Sequence, residues 1–267
     1  MTKNDDLRPA DPAFFGLPAA VKASLRADDR FLVSYPRSGN TWMRYVLTAG
    51  RALQCGEDLP MSAEGVARVL ELVREVVPDL HAAPLPASPH PLSGRSYRVI
   101  KSHNVREVAD REVVYLFRQP EDALLSYAHY AGRAGAGGDQ FVFRQVRTWA
   151  AEAEFALACQ RAHPERFFLM SYERMLAQTS ESVARIAQRL GLEIDAANRE
   201  RAIALNDFRR LKSCEKVGDE PALAPGAKFF RRGEAGAGRA ELRPETLAIV
   251  ERHARPVYEE LCAAAGG

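Results

Sequence analysis

The stretch "FLVSYPRSGNTW", Phe31 to Trp42, carries residues that bind anions in the order an anion site needs. Phe31-Leu32-Val33 reads as the end of a buried strand, and Asn40 to Leu47 as the start of a helix. Backbone N–H groups at a helix start have no intrahelical partner, and the helix dipole favours negative charge there. The short loop between the two adds a cation (Arg37), two hydroxyls (Ser38, Thr41) and a glycine (Gly39). This composition raises two questions: which anion the loop holds, and whether that anion is only held or is transferred.

From Ser34 to Thr41 the loop keeps the spacing of the nucleotide-binding pattern G-x-x-x-x-G-K-[ST]. Ser34 stands at the first glycine, and Asn40 replaces the lysine that reaches the β- and γ-phosphates; the cation sits inside the loop as Arg37. Such a backbone suits a phosphate, but it lacks the equipment for a triphosphate with magnesium. Two further segments carry chemistry. "RVIKSHNV" ends a predicted strand at Lys101-Ser102-His103, and a histidine, which titrates near neutral pH, can take the proton of a weakly nucleophilic hydroxyl. "YLFRQPEDALLSYAHY" runs from a strand through Arg118 into a helix opened by Pro120, with Glu121 and Asp122 in its first turn. The planar fork of an arginine can donate two parallel hydrogen bonds to a phosphate.

"YPRSGNTW" resembles the 5′-phosphosulfate-binding loop of the cytosolic-type sulfotransferases, which usually reads Y-P-K-S-G-T-T-W. Arg37 for lysine and Asn40 for threonine are the departures. The resemblance continues in the family's order as far as Gly236. It implies that Arg37, Ser38, Gly39, Asn40, Thr41 and Trp42 bind the donor 3′-phosphoadenosine-5′-phosphosulfate (PAPS). His103 would be the general base on the acceptor, with Lys101 near the transferred group. Arg118 and Ser126 match the R-x(7)-S pair that clamps the 3′-phosphate. Tyr172 in "SYER" matches the tyrosine that touches the adenosine, although Arg174 stands where the family has aspartate, and Phe208 falls where a phenylalanine packs on the adenine. Arg231-Arg232-Gly233 with Gly236 resembles a lid that closes over the 3′-phosphate; the Asp-Trp and lysine that usually come next are missing.

The implied reaction is in-line transfer of a sulfuryl group to a hydroxyl or amine of a small molecule, giving 3′-phosphoadenosine-5′-phosphate (PAP), without a metal. Three rivals remain. A P-loop kinase is disfavoured by Asn40 and has no need of Lys101-Ser102-His103. A non-catalytic nucleotide sensor would keep Arg118, Ser126 and Tyr172 without a reason for His103. A carbohydrate-type sulfotransferase would use a carboxylate base.

These residues must be positioned by alternating strands and helices. The sequence predicts helix 17–28, strand 30–34, helices 40–54 and 62–77, strands 97–102 and 112–118, helices 120–133 and 140–163, strand 166–171, and then mostly helix. Short unalternating runs such as "VVYLF" and "FFLM" suit strands buried on both faces. Helices between them imply β-α-β crossovers and one α/β domain over 1–267, a central parallel sheet flanked by helices. Residues 83–94, 132–139 and 213–240 read as loops, the last long enough to be a lid. Segments 83–94, 104–111, 132–142 and 213–228 are expected to wall the acceptor pocket.

A chain of 267 residues with 46% hydrophobic and 27% charged residues can bury a substantial core, and a net charge of +2 gives no bulk attraction to nucleic acid or membrane. Four scattered cysteines form no C-x-x-C pair, which argues against a zinc site. The charged N-terminus does not read as a signal peptide, and no apolar run approaches the roughly 20 residues of a membrane span, so a cytoplasmic location is expected. The Ala- and Arg-rich composition suggests a bacterial source. The C-terminal dimerisation segment of animal members is not recognisable, so no oligomeric state is carried over.

Overall fold

The computed structural model of the chain describes residues 16–82, 84–133, 136–214, 233 and 235–266. A short helix α1 (Ala19–Ser24) precedes strand β1 (Arg30–Ser34), which feeds helix α2 (Asn40–Gln54). Helix α3 (Ala63–Val76) leads to β2 (Val99–Ser102), β3 (Glu112–Phe117), α4 (Pro120–Tyr130), the long α5 (Ala136–Ala162) and β4 (Phe167–Ser171). Helices α6 (Tyr172–Ala177), α7 (Thr179–Leu190), α8 (Ala196–Leu205) and α9 (Phe208–Cys214) come next, and α10 (Ala237–Glu241), α11 (Pro244–His253) and α12 (Arg255–Ala264) end the described chain.

The four strands form one parallel sheet in the order β2-β1-β3-β4. The apolar runs sit there because both faces are covered. Phe31 and Val33 of β1 enter a core shared with α4, α5, α11 and α12, while Leu32 enters the opposite core with α2, α3, α7 and α8. After β1 the chain crosses to β2 on one side; after β3 it crosses to β4 on the other. The switch between these directions falls between β1 and β3, and ligands of open α/β sheets bind in the crevice beyond the strand ends at such a point. Here it is flanked by the Arg37 loop and by Arg118.

Most predicted elements stand; among the differences, the described end of the predicted 213–240 loop is helical, with α10 beginning at Ala237. The first helix covers only 19–24, because Leu25 turns extended (φ −76°, ψ 135°) before the strand. The glycine-rich stretch 132–139 is not all loop: α5 begins at Ala136, and Asp139 in its first turn pairs with Arg243 at 3.0 Å. Tertiary pairing thus recruits glycines that local propensity would leave in a loop.

Candidate active site

The loop after β1 has an unusual backbone. Arg37 holds φ 68°, and among the described residues it is the one non-glycine with positive φ. Gly39 also turns left-handed (φ 91°) as the N-cap of α2, and a Cβ there would lie 2.7 Å from the Tyr172 ring. Only glycine fits between the loop and that ring. Ser38 is fully buried, and its Oγ has no hydrogen-bond partner among the described residues. A buried hydroxyl of this kind at a helix start fits an oxyanion ligand.

The side chain of Asn40 has a structural task besides its expected place in the donor loop. It is buried, and its Nδ2 donates to the carbonyl of Leu32 at 3.1 Å and to Ser34 Oγ at 3.3 Å. The amide therefore braces the C-terminal end of β1 from below. Trp42 likewise serves the scaffold, its Nε1 donating to the Asn206 carbonyl at 3.1 Å while its ring meets Tyr172 edge-on.

Arg37, Arg118, Ser126 and Tyr172 come together. Arg37 Nε donates to Ser126 Oγ at 3.2 Å, and its guanidinium lies 5.2 Å from the centre of the Tyr130 ring. Arg118 leaves the end of β3, donates to the Arg37 carbonyl at 3.2 Å and lies 4.4 Å over the Tyr172 ring. The turn carrying Arg118 is held by Glu173, which accepts the Gln119 N–H at 3.0 Å and the Tyr258 hydroxyl at 3.2 Å.

Asp122, read from sequence only as a first-turn acid, does more. It is buried, lies 3.6 Å from Arg118 Nη2, and accepts the N–H groups of Gly236 (2.7 Å) and Gly238 (2.6 Å). It thereby caps α10 and ties the end of the expected lid to the arginine at β3. Gly233 turns left-handed (φ 70°), and a Cβ on it would stand 2.5 Å from the Phe208 ring, so these two expected nucleotide contacts are packed together. Arg231 and Arg232 lie outside the described residues.

His103 comes directly after β2. Its Nδ1 lies 2.8 Å from the Ser34 carbonyl, an acceptor only, so Nδ1 carries the proton and Nε2 presents a lone pair. Burial, and next the nearby Lys101 charge, hold its pKa well below the ordinary 6.5, with Asp79 opposing. Lys101 is buried and donates to Asp79 Oδ2 at 2.8 Å. His81 lies nearly parallel to His103 (centroids 6.3 Å, planes 13° apart) and accepts its backbone N–H at 3.3 Å. Asp79 and His81 were missed by sequence reasoning. The one available signal was an acid and a histidine directly after a helix-ending Val-Pro.

Two basic or phosphate-seeking clusters and a neutral imidazole thus share the strand-end crevice of a parallel α/β sheet, an arrangement suited to moving an anionic group onto a deprotonated acceptor. Residues 27–262 match the sulfotransferase domain family, and the chain belongs to that family. Cytosolic sulfotransferase 17 of Arabidopsis thaliana is 23% identical over 263 residues, covering 85% of this chain and 73% of the relative. Cytosolic sulfotransferase 12 of the same plant is 25% identical over 251 residues, covering 84% and 75%. Among solved structures, a mouse sulfotransferase complexed with PAP superposes with TM-score 0.61 at 19% identity over 94% of both chains. Retinol dehydratase in complex with retinol and PAP gives 0.59 at 18% identity, covering 88% of this chain and 82% of that one. The shared fold is a single α/β domain with the parallel sheet described above. Among the described residues no helix is long and apolar enough to cross a membrane.

Proposed function

We propose that the protein transfers the sulfuryl group of PAPS to a hydroxyl of a small-molecule acceptor and releases PAP. Family membership supports sulfuryl transfer, and the PAP held by the structural neighbours supports the donor. The observation that carries the chemical assignment is His103: its Nδ1–H is engaged by the Ser34 carbonyl, which leaves Nε2 to accept a proton beside the anion loop. The buried Ser38 hydroxyl fits a phosphate oxygen of the donor, and Arg118 with Ser126 suits its 3′-phosphate, while Arg37, which touches both, stays with the 5′ loop.

In this scheme His103 removes the acceptor proton as the oxygen attacks sulfur in line. Charge then gathers on the oxygen joining phosphorus and sulfur. Arg37, the loop N–H groups and Thr41 are the donors that stabilise it, as preorganised dipoles do at other oxyanions. Lys101 keeps positive charge near the developing anion. The donor arrives activated, so the scheme assigns no step to a metal.

Incubation with PAPS and a panel of phenols, alcohols, amines and glycosides, with PAP release followed by chromatography, tests the reading. Acceptor-dependent PAP release together with a sulfated product is expected. ATP consumption without PAPS turnover would reinstate the kinase reading, and tight PAP binding with no product from any acceptor would favour the sensor.

A further inference from the structure

Pro78 to Leu80 lie along the outer edge of β2. Lys101 N–H donates to the Pro78 carbonyl and Leu80 N–H to the Lys101 carbonyl, both at 2.8 Å, so Asp79 is fixed opposite Lys101 like a residue of one further strand. Its two carboxylate oxygens face different ways. Oδ2 accepts Lys101 Nζ at 2.8 Å and lies 3.9 Å from Arg44 of α2. Oδ1 accepts the His81 N–H at 3.0 Å, closing the turn from which the His81 ring reaches the His103 N–H.

We propose that Asp79 is a positioning residue that holds Lys101 and His103 as a pair. One oxygen takes the ammonium, and the other sets the turn whose imidazole receives the base's backbone. The reading rests on the proposed role of His103, and it adds a residue that contributes through its neighbours.

The charges facing His103 make the consequence definite. From β2 comes Lys101⁺; from the 78–82 segment come Asp79⁻ and His81; from α2 comes Arg44⁺, engaged with Asp79; from β1 come the Ser34 carbonyl and hydroxyl. Lys101 disfavours a proton on His103, and Asp79 favours one. Burial would raise the Asp79 carboxyl, but Lys101, Arg44 and His103 outweigh it and hold it below the usual carboxylate range. Without the Asp79 charge, Lys101 would act on the imidazole uncompensated. His103 would then remain neutral but become a weaker base, and Lys101 would lose its anchor.

The test uses Asp79→Asn, Asp79→Glu, Lys101→Met and the double variant Asp79→Asn/Lys101→Met, each confirmed to bind PAP like the wild type. The His103 imidazole is titrated by ¹⁵N NMR, and kcat is measured on the best acceptor. Asp79→Asn should move the His103 midpoint to lower pH and lower kcat at least tenfold with the KM for PAPS unchanged; Asp79→Glu should restore both. Lys101→Met should move the midpoint up, and the double variant should return it toward the wild type. If Asp79→Asn does not fold, the double variant, which removes the ion pair as a neutral unit, decides alone: its midpoint must lie below that of Lys101→Met. Equal midpoints in either comparison would overturn the proposal. Full activity of His103→Ala would instead sink the base assignment while leaving the titration result standing, so the two failures are distinguishable.

Discussion

At the scale of single residues, the proposed mechanism relies on one tautomer and one charge arrangement being available in advance. His103 cannot donate from Nε2 while Nδ1–H is given to Ser34, so it is committed to accepting. His103→Ala is expected to slow turnover by about 10²- to 10⁴-fold, the usual contribution of a positioned base, with PAP affinity unchanged in calorimetry. Because its pKa is depressed, the imidazole stays neutral as pH falls through 6.5, so the acid limb of kcat/KM should lie below that pH. The same depression has a sign for stability. The unfolded chain binds the proton more readily, so this group makes the fold more stable as pH rises from its depressed native value to 6.5. In the proposed scheme Arg118 is the residue for the second anion. PAP should bind at least tenfold more tightly than adenosine-5′-phosphate, about 1.4 kcal/mol, and Arg118→Ala should erase most of that difference. Equal affinities of the wild type for the two nucleotides would remove the 3′-phosphate site. Arg37, Arg118 and His103 stood out in the sequence because each closely follows a predicted strand, and Ser126 only through its spacing from Arg118. The Asn40 amide did not, since its side-chain direction depends on how β1 and β2 pair. Asp79 was hidden for a related reason: its partner Lys101 lies far along the chain and meets it only through strand-edge pairing.

At the scale of elements, the four strands could be read because burial on both faces removes the polar alternation of half-exposed strands. Helix ends were read less well, since the limits of α1 and α5 depend on tertiary neighbours and not on local propensity. The link from α4 to α10 had no local signature at all: Asp122 looks like an ordinary first-turn acid until two distant glycines donate to it. That link and the Phe208–Gly233 contact fix the two ends of the segment around Gly233 and Gly236. Gly233→Ala would place a Cβ against the Phe208 ring in a left-handed conformation that costs about 1–2 kcal/mol for other residues. PAP affinity should fall roughly five- to thirtyfold, with the circular dichroism of the fold unchanged. Wild-type affinity in this variant would mean that the contact plays no part in holding the nucleotide.

At the scale of the whole molecule, the crevice at the β1–β3 switch gathers residues from β1, β2, β3, α4 and α6, so a ligand held there binds the folded chain and not the unfolded one. At one hundred times its dissociation constant, PAP should add about 2.7 kcal/mol to stability and raise the melting temperature on the order of 5–10 °C. Adenosine-5′-phosphate at the same concentration should raise it less. The left-handed Arg37 has a bearing on stability in the other direction. At an ordinary position, glycine leaves a protein about 0.5–1 kcal/mol less stable than alanine. At φ 68° the order should reverse, and Arg37→Gly should melt above Arg37→Ala, although both lack the guanidinium. Once the guanidinium is lost, a selection for heat resistance alone would therefore favour glycine over alanine at this loop position. If Arg37 serves the transfer as proposed, a homologue whose loop reads glycine in its place is expected to have lost transfer while keeping the fold.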